Sequence, residues 1–166
     1  MQNVHLVQGD MGDNDSLVAA AAQVDKLTGG SVDYLIINGV YVNQSETFLS
    51  PTEFSGNEEL LTEVMTQSLK VNVLGTIFSI NAFLPLVRKS KVKKIIVIST
   101  GLADRDMVEK SIMSFSVTYS SMKAAVNMVV AKFAVELKSE GIILLALSPG
   151  FVDTSADKPA NQRLSP

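Results

Sequence analysis

The sequence contains no cysteine, which excludes disulfide scaffolds, thiolate metal sites and cysteine nucleophiles. It contains a single histidine, His5, so histidine-rich metal sites and most histidine-based triads are excluded too. A lone histidine in a short apolar segment reads as structural or exposed, because a ligand histidine needs partners. Charge is sparse, with 19% charged residues and a net charge of −3. The isoelectric point near 5.1 argues against a nucleic-acid surface. No uninterrupted apolar run approaches the ~18 residues that read as a membrane span. The opening Met1-Gln2-Asn3-Val4-His5 lacks the basic-then-apolar pattern of a signal peptide. Internal repeats, low-complexity tracts and linkers are also missing. The expectation is one soluble, cytoplasmic domain with no nucleic-acid or membrane partner.

What is present supports a sizeable core. The chain has 166 residues, 46% of them hydrophobic, and a chain of this size buries roughly 69% of its unfolded surface. Short apolar runs alternate with longer amphipathic ones. Strands are expected at 4–7, 34–37, 94–98 and 142–147, the later three continuous in the manner of buried parallel strands. Helices are expected at about 15–27, capped by Asn14 or Asp15 and stopped at Gly29-Gly30, at 58–88, closing on Pro85 and the basic run 88–94, and at 118–138. Residues 41–57 read as a loop with one turn of helix, and 102–117 as a polar loop. The order β-α-β-α-β-α-β implies an α/β fold with a parallel sheet and helices on its faces.

Several conspicuous features have plain explanations. The run 88–94 sits between a helix end and a strand, where cations suit the helix C-terminus. Asp10, Asp13 and Asp15 lack calcium-loop spacing and read as caps. Met122 and Met128 read as core fillers.

In such sheets ligands bind beyond the carboxyl ends of the strands. Those ends are Asp10, Asn38-Gly39, Ser99-Thr100 and Pro149-Gly150. Tyr119 and Lys123 stand four residues apart on a helix, hence on one face. A free phenol titrates near 10, too high for ready proton exchange at neutral pH, and a nearby cation favours the phenolate. Such a tyrosine can act as general acid toward a carbonyl oxygen or as base toward an alcohol. Taken alone, the pair is a weak motif.

Taken with its surroundings, the sequence resembles the short-chain dehydrogenase/reductase family. Gly9-Asp10-Met11 resembles the Asp-Val closing the third family strand. Residues 33–40, Asp-Tyr-Leu-Ile-Ile-Asn-Gly-Val, resemble the strand ending in Asn-Asn-Ala-Gly. Residues 70–75, Lys-Val-Asn-Val-Leu-Gly, resemble the helix with the catalytic asparagine, and 96–100, Ile-Val-Ile-Ser-Thr, the strand ending in Ile-Ser-Ser. Tyr119 to Lys123 matches the catalytic pair, and 149–154, Pro-Gly-Phe-Val-Asp-Thr, matches the Pro-Gly-x-Val-x-Thr segment. The resemblance implies a partial Rossmann-type doubly wound parallel sheet over 1–154, with 155–166 a frayed tail. It implies NADP or NAD as cofactor, with Asp10 and Met11 at the adenine and Asn38 and Gly39 at the cofactor. Pro149, Gly150, Val152 and Thr154 would lie at the nicotinamide. It implies Tyr119 as proton donor and acceptor, Lys123 on the nicotinamide ribose, and Asn72 holding a water in a proton relay. Thr100 is the favoured substrate-orienting hydroxyl and Ser99 the alternative, because neighbouring strand residues point to opposite faces.

The sequence also departs from the family. The first two strands and the Gly-x-x-x-Gly-x-Gly turn that grips the pyrophosphate have no counterpart. Only 12 residues follow Thr154, where the family continues through a substrate-covering segment to a last strand. The chain therefore reads as truncated at both ends. Ile37 and Val40 replace the outer Asn and Gly of Asn-Asn-Ala-Gly, and the segment from Thr100 to Tyr119 is longer than usual. With the family strand order 3-2-1-4-5-6-7, residues 4–7 would either move beside 34–37 or leave that edge for another chain. Two functions compete: an NAD(P)(H)-dependent enzyme reducing small-molecule carbonyls or oxidising alcohols, and a non-catalytic module that dimerises. In the family, the helices corresponding to 58–84 and 118–138 form a four-helix dimer interface. The apolar circumference of 118–138 implies that a second face needs a partner, so a homodimer is expected through both.

Overall fold

The computed structural model describes residues 3–150; Val152, Thr154 and the tail 155–166 lie outside the described residues. Helix α1 spans Asn14–Thr28 and strand β1 Tyr34–Ile37. Helix α2 (Glu58–Ser68), a π-helical turn (Leu69–Leu74) and helix α3 (Gly75–Lys89) form one continuous helix. Strand β2 (Lys94–Ile98), helix α4 (Arg105–Ser111), helix α5 (Val117–Glu136) and strand β3 (Ile143–Leu147) complete the set. The three strands are parallel, in the order β1-β2-β3.

Register and parity divide the sheet into two faces. Rows Leu35–Ile95–Leu144 and Ile37–Val97–Ala146 meet Val73, Ile80, Leu84 and Val87 of the long helix and Val126 and Val130 of α5 in one core. Ile80, Ile95, Val87 and Val126 are completely buried, each worth about 1.5–3 kcal/mol of apolar transfer. The opposite rows, Tyr34–Lys94–Ile143 and Ile36–Ile96–Leu145, face away from the described helices; Ile36 and Ile143 are both 59% exposed. The fold is the expected partial Rossmann-type α/β arrangement, with the described helices covering one face.

Several local expectations need correction. Residues 4–7 form no strand, and Leu6 is 97% exposed. An extended segment holds its shape only through a neighbour's hydrogen bonds and a buried face, and this one has neither. It does not move beside β1, whose outer edge carries no strand among the described residues. Asp13, not Asn14 or Asp15, caps α1, its side chain accepting from the Asp15 N–H at 3.0 Å. Gly29 ends that helix with φ 67°, the left-handed geometry glycine adopts without penalty. The long helix ends at Lys89, one residue past its expected bound, with Pro85 inside it and the basic pair Arg88 and Lys89 in its last turn. The segment 102–117 is not all loop, because Asp104 caps α4 by accepting from the Met107 N–H at 2.8 Å. The helix Glu58–Lys89 is long and apolar enough, by composition alone, to cross a membrane, although it holds no uninterrupted apolar run of that length. Half of its most apolar stretch is buried against the sheet and α5, the burial of a core helix.

Candidate active site

The three parallel strands end at one edge of the sheet, and the sequence puts polar or turn-forming residues there. Asn38 and Gly39 follow β1, Ser99 and Thr100 follow β2, and Pro149 and Gly150 end the described chain after β3. Helix α5 carries Tyr119 in its first turn and Lys123 one turn later.

Lys123 is buried, and its Nζ donates to the Ile98 carbonyl at 2.7 Å. The same Nζ stands 6.0 Å from the centroid of the Tyr119 ring, within cation–π range. Burial holds the Lys123 ammonium below its ordinary pKa, because desolvation penalises the charged form. Tyr119 is half-buried, so its phenol stays accessible at the end of this arrangement.

The two candidate hydroxyls part company. Ser99 is buried and donates to Asn127 Oδ1 at 2.6 Å, which binds the end of β2 to α5. Thr100 is half-buried and caps the short turn Gly101–Ala103, its Oγ1 accepting from the Leu102 N–H at 3.3 Å. Its own hydroxyl proton has no acceptor among the described residues. Asn72 sits in the π-helical turn, where the wider backbone spacing re-aims a side chain. Its Oδ1 accepts from the Tyr41 N–H at 2.7 Å and its Nδ2 donates to the Tyr41 carbonyl at 3.0 Å. The Asn72 carbonyl in turn accepts from Thr76 Oγ1 at 2.7 Å. Asn72 thus fastens the segment after β1 to the long helix.

At the other expected cofactor-binding pair, the Asp10 Oδ1 accepts from the Gly12 N–H at 2.7 Å, and the Asp10 N–H donates to Ser16 Oγ at 3.0 Å. Met11 is a wedge between β1's end and α3's start. A Cβ at Gly75 would stand 2.5 Å from the Met11 carbonyl oxygen, and one at Gly39 would meet Met11 Sδ. Among the described residues, no cluster of histidine, aspartate and glutamate can hold a metal ion.

Sequence reasoning missed four contributors. Asn127 continues the four-residue spacing of Tyr119 and Lys123 on α5, a signal that was legible. Tyr41 contributes backbone groups, which leave no sequence signal. Glu46 and Thr118, joined by a 2.6 Å hydrogen bond, come from segments 72 residues apart.

A family model for short chain dehydrogenases matches residues 1–165. The chain is 42% identical over 157 residues to the short-chain dehydrogenase/reductase atnB of Arthrinium sp, covering 95% of this chain and 59% of that protein. It is 41% identical over 152 residues to the short-chain dehydrogenase/reductase iacC of Pestalotiopsis fici, covering 91% and 56%. The chain therefore spans less than two thirds of these relatives' length. Among solved structures, NADPH-bound carbonyl reductase from chicken fatty liver superposes with a TM-score of 0.74 at 24% identity, covering 90% of this chain and 58% of that one. The putative carbonyl reductase Sniffer of Caenorhabditis elegans gives 0.73 at 23%, covering 95% and 67%. The structural matches concern the fold; the sequence matches run through the strand ends and the Tyr119–Lys123 pair, and by them the chain belongs to the short-chain dehydrogenase family.

Proposed function

We propose that this chain carries the acid–base machinery of an NAD(P)(H)-dependent oxidoreductase interconverting small carbonyls and alcohols. The observation that carries the reading is Lys123, buried, anchored on the Ile98 carbonyl and 6.0 Å from the Tyr119 ring. The Tyr119 hydroxyl, half-buried in the first turn of α5, gives its proton to a substrate carbonyl oxygen and recovers it from an alcohol. The free hydroxyl proton of Thr100 orients the substrate oxygen by donating to it. Asn72 keeps the neighbouring backbone in place, and a water held there would complete a proton relay.

The donor set suits a nicotinamide dinucleotide. Lys123 and Tyr119 would meet the ribose hydroxyls. Asn38, Gly39, Pro149 and Gly150 would line the nicotinamide side, and Asp10 and Met11 the adenine side. When bound, the dinucleotide supplies or accepts the hydride. Relatives named as short-chain dehydrogenase/reductases and an NADPH-bound structural neighbour support the cofactor class; either NADP or NAD fits. The test is oxidation of NADPH and NADH with a panel of aldehydes and ketones. Tyr119→Phe removes the proton donor with little change in volume and is expected to abolish turnover; activity surviving both this and Lys123→Met contradicts the reading.

The alternative is a non-catalytic module of the same family. No turnover with any carbonyl, together with an intact fold, would support it. Under either reading, we propose a homodimer through α3 and α5. Ile77, Val129 and Phe133 form an apolar strip beside Met128, which is 61% exposed.

A further inference from the structure

We infer that Glu46 is a positioning residue for Tyr119, acting through Thr118. The inference rests on the reading of Tyr119 as the acid. Glu46 lies in the segment after β1 and is 1% exposed. Its Oε1 accepts from Thr118 Oγ1 at 2.6 Å, and Thr118 is equally buried. Its Oε2 has no hydrogen-bond partner among the described residues.

A structural cap does not need this arrangement. A carboxyl group taken out of water with one partner is costly, and a buried polar atom left unpaired calls for an explanation. Apolar residues would bury the same volume more favourably. Local rules are broken in this way chiefly at functional sites.

The surroundings supply the explanation. Thr118 directly precedes Tyr119. The N-cap residue of α5, Ser116, two residues before Thr118, has φ 58°, a strained conformation for a residue with a Cβ. Both its N–H and its Oγ donate to the Thr47 carbonyl at 2.9 Å. The segment 41–47 is therefore fixed at one end by Asn72, through Tyr41, and at the other by Ser116 and Thr118. It is a strap between the π-helical turn and the first turn of α5. Glu46 is its one side-chain bond to α5, and it sets the rotation of that turn about the helix axis. The direction in which the Tyr119 phenol leaves the helix follows from it.

The test uses 3-fluorotyrosine, because the chain has only three tyrosines and Tyr119→Phe assigns the signal. Fluorine NMR spectra and thermal melts are compared for the unsubstituted chain, Glu46→Gln, Glu46→Leu and Thr118→Val. Glu46→Gln keeps an oxygen that accepts from Thr118 and should keep the single narrow Tyr119 resonance. Glu46→Leu should melt at or above the parent temperature, as a buried, half-partnered carboxyl is replaced by an apolar group, yet split or broaden the Tyr119 resonance. Thr118→Val should also split or broaden that resonance, at a lower melting temperature because Glu46 loses its partner, and it decides alone if Glu46→Leu does not fold. An unchanged Tyr119 resonance in Thr118→Val or in folded Glu46→Leu overturns the inference, as does a Gln variant as disturbed as the Leu one. None of these readouts needs turnover, so a failure of the catalytic reading appears separately in the assay of Tyr119→Phe.

Discussion

The Lys123 ammonium donates to the Ile98 carbonyl at 2.7 Å, so the last residue of β2 holds the cation that faces Tyr119. Desolvation lowers the Lys123 pKa. Between that folded value and the unfolded value near 10.4, the unfolded chain binds more protons than the folded one. Stability therefore rises with pH across that window, and below it the buried charge is a standing cost. Lys123→Met removes this dependence. Melting curves should show the parent chain gaining on Lys123→Met between neutral pH and about pH 10, with turnover lost at every pH. A difference that moves the other way would contradict the assignment.

The two hydroxyls at the end of β2 make separable predictions. Thr100→Ala removes a hydroxyl proton with no structural acceptor and should lower kcat/KM by about 10²-fold or more, at a cost of about 0.5–1 kcal/mol in stability for the lost cap on the Leu102 N–H. Ser99→Ala removes the bond to Asn127 and should lower stability by about 1 kcal/mol, with activity held within tenfold.

Much of this architecture was readable in the chain itself. The continuous apolar strands 34–37 and 94–98 were legible because β-branched runs bounded by turn residues have few alternatives. The Tyr119–Lys123 spacing was legible because helix geometry fixes what lies four residues away. Residues 4–7 misled because a strand depends on its neighbours, which sequence periodicity does not report. Helix α4 was hidden among polar residues, with only Asp104 as a start signal. The end of the long helix was legible to within one residue, because the basic run from Arg88 suits a helix C-terminus. The Glu46–Thr118 bond was invisible because nothing local links residues so far apart in sequence.

Met11 explains two glycines. Gly75 stands in a helix, where alanine is ordinarily preferred by about 1 kcal/mol. A Cβ there would lie 2.5 Å from the Met11 backbone oxygen, which cannot swing away. Gly75→Ala should therefore lower the melting temperature by about 2–6 °C, as overpacking outweighs helix preference. Gly39→Ala meets only the flexible Met11 thioether and should cost less. Equal or reversed effects, read by calorimetry, would contradict this account of the wedge.

The half-buried apolar strip on α3 and α5, with Met128 exposed beside it, predicts association. Light scattering at micromolar concentration should give about twice 17.8 kDa, the two-fold pairing common among homo-oligomers. Phe133→Glu should return it to the monomer mass. A monomer before substitution, or a dimer that survives it, would exclude this interface.

The most direct test of the central claim is an NMR titration of the chain with NADPH to millimolar concentration, followed at assigned Tyr119, Lys123, Gly39 and Asp10. The largest shifts should fall at Tyr119 and Lys123, and Lys123→Met should abolish them. Shifts confined to another face, none at all, or binding indifferent to Lys123→Met would contradict a dinucleotide site built on the Tyr119–Lys123 pair.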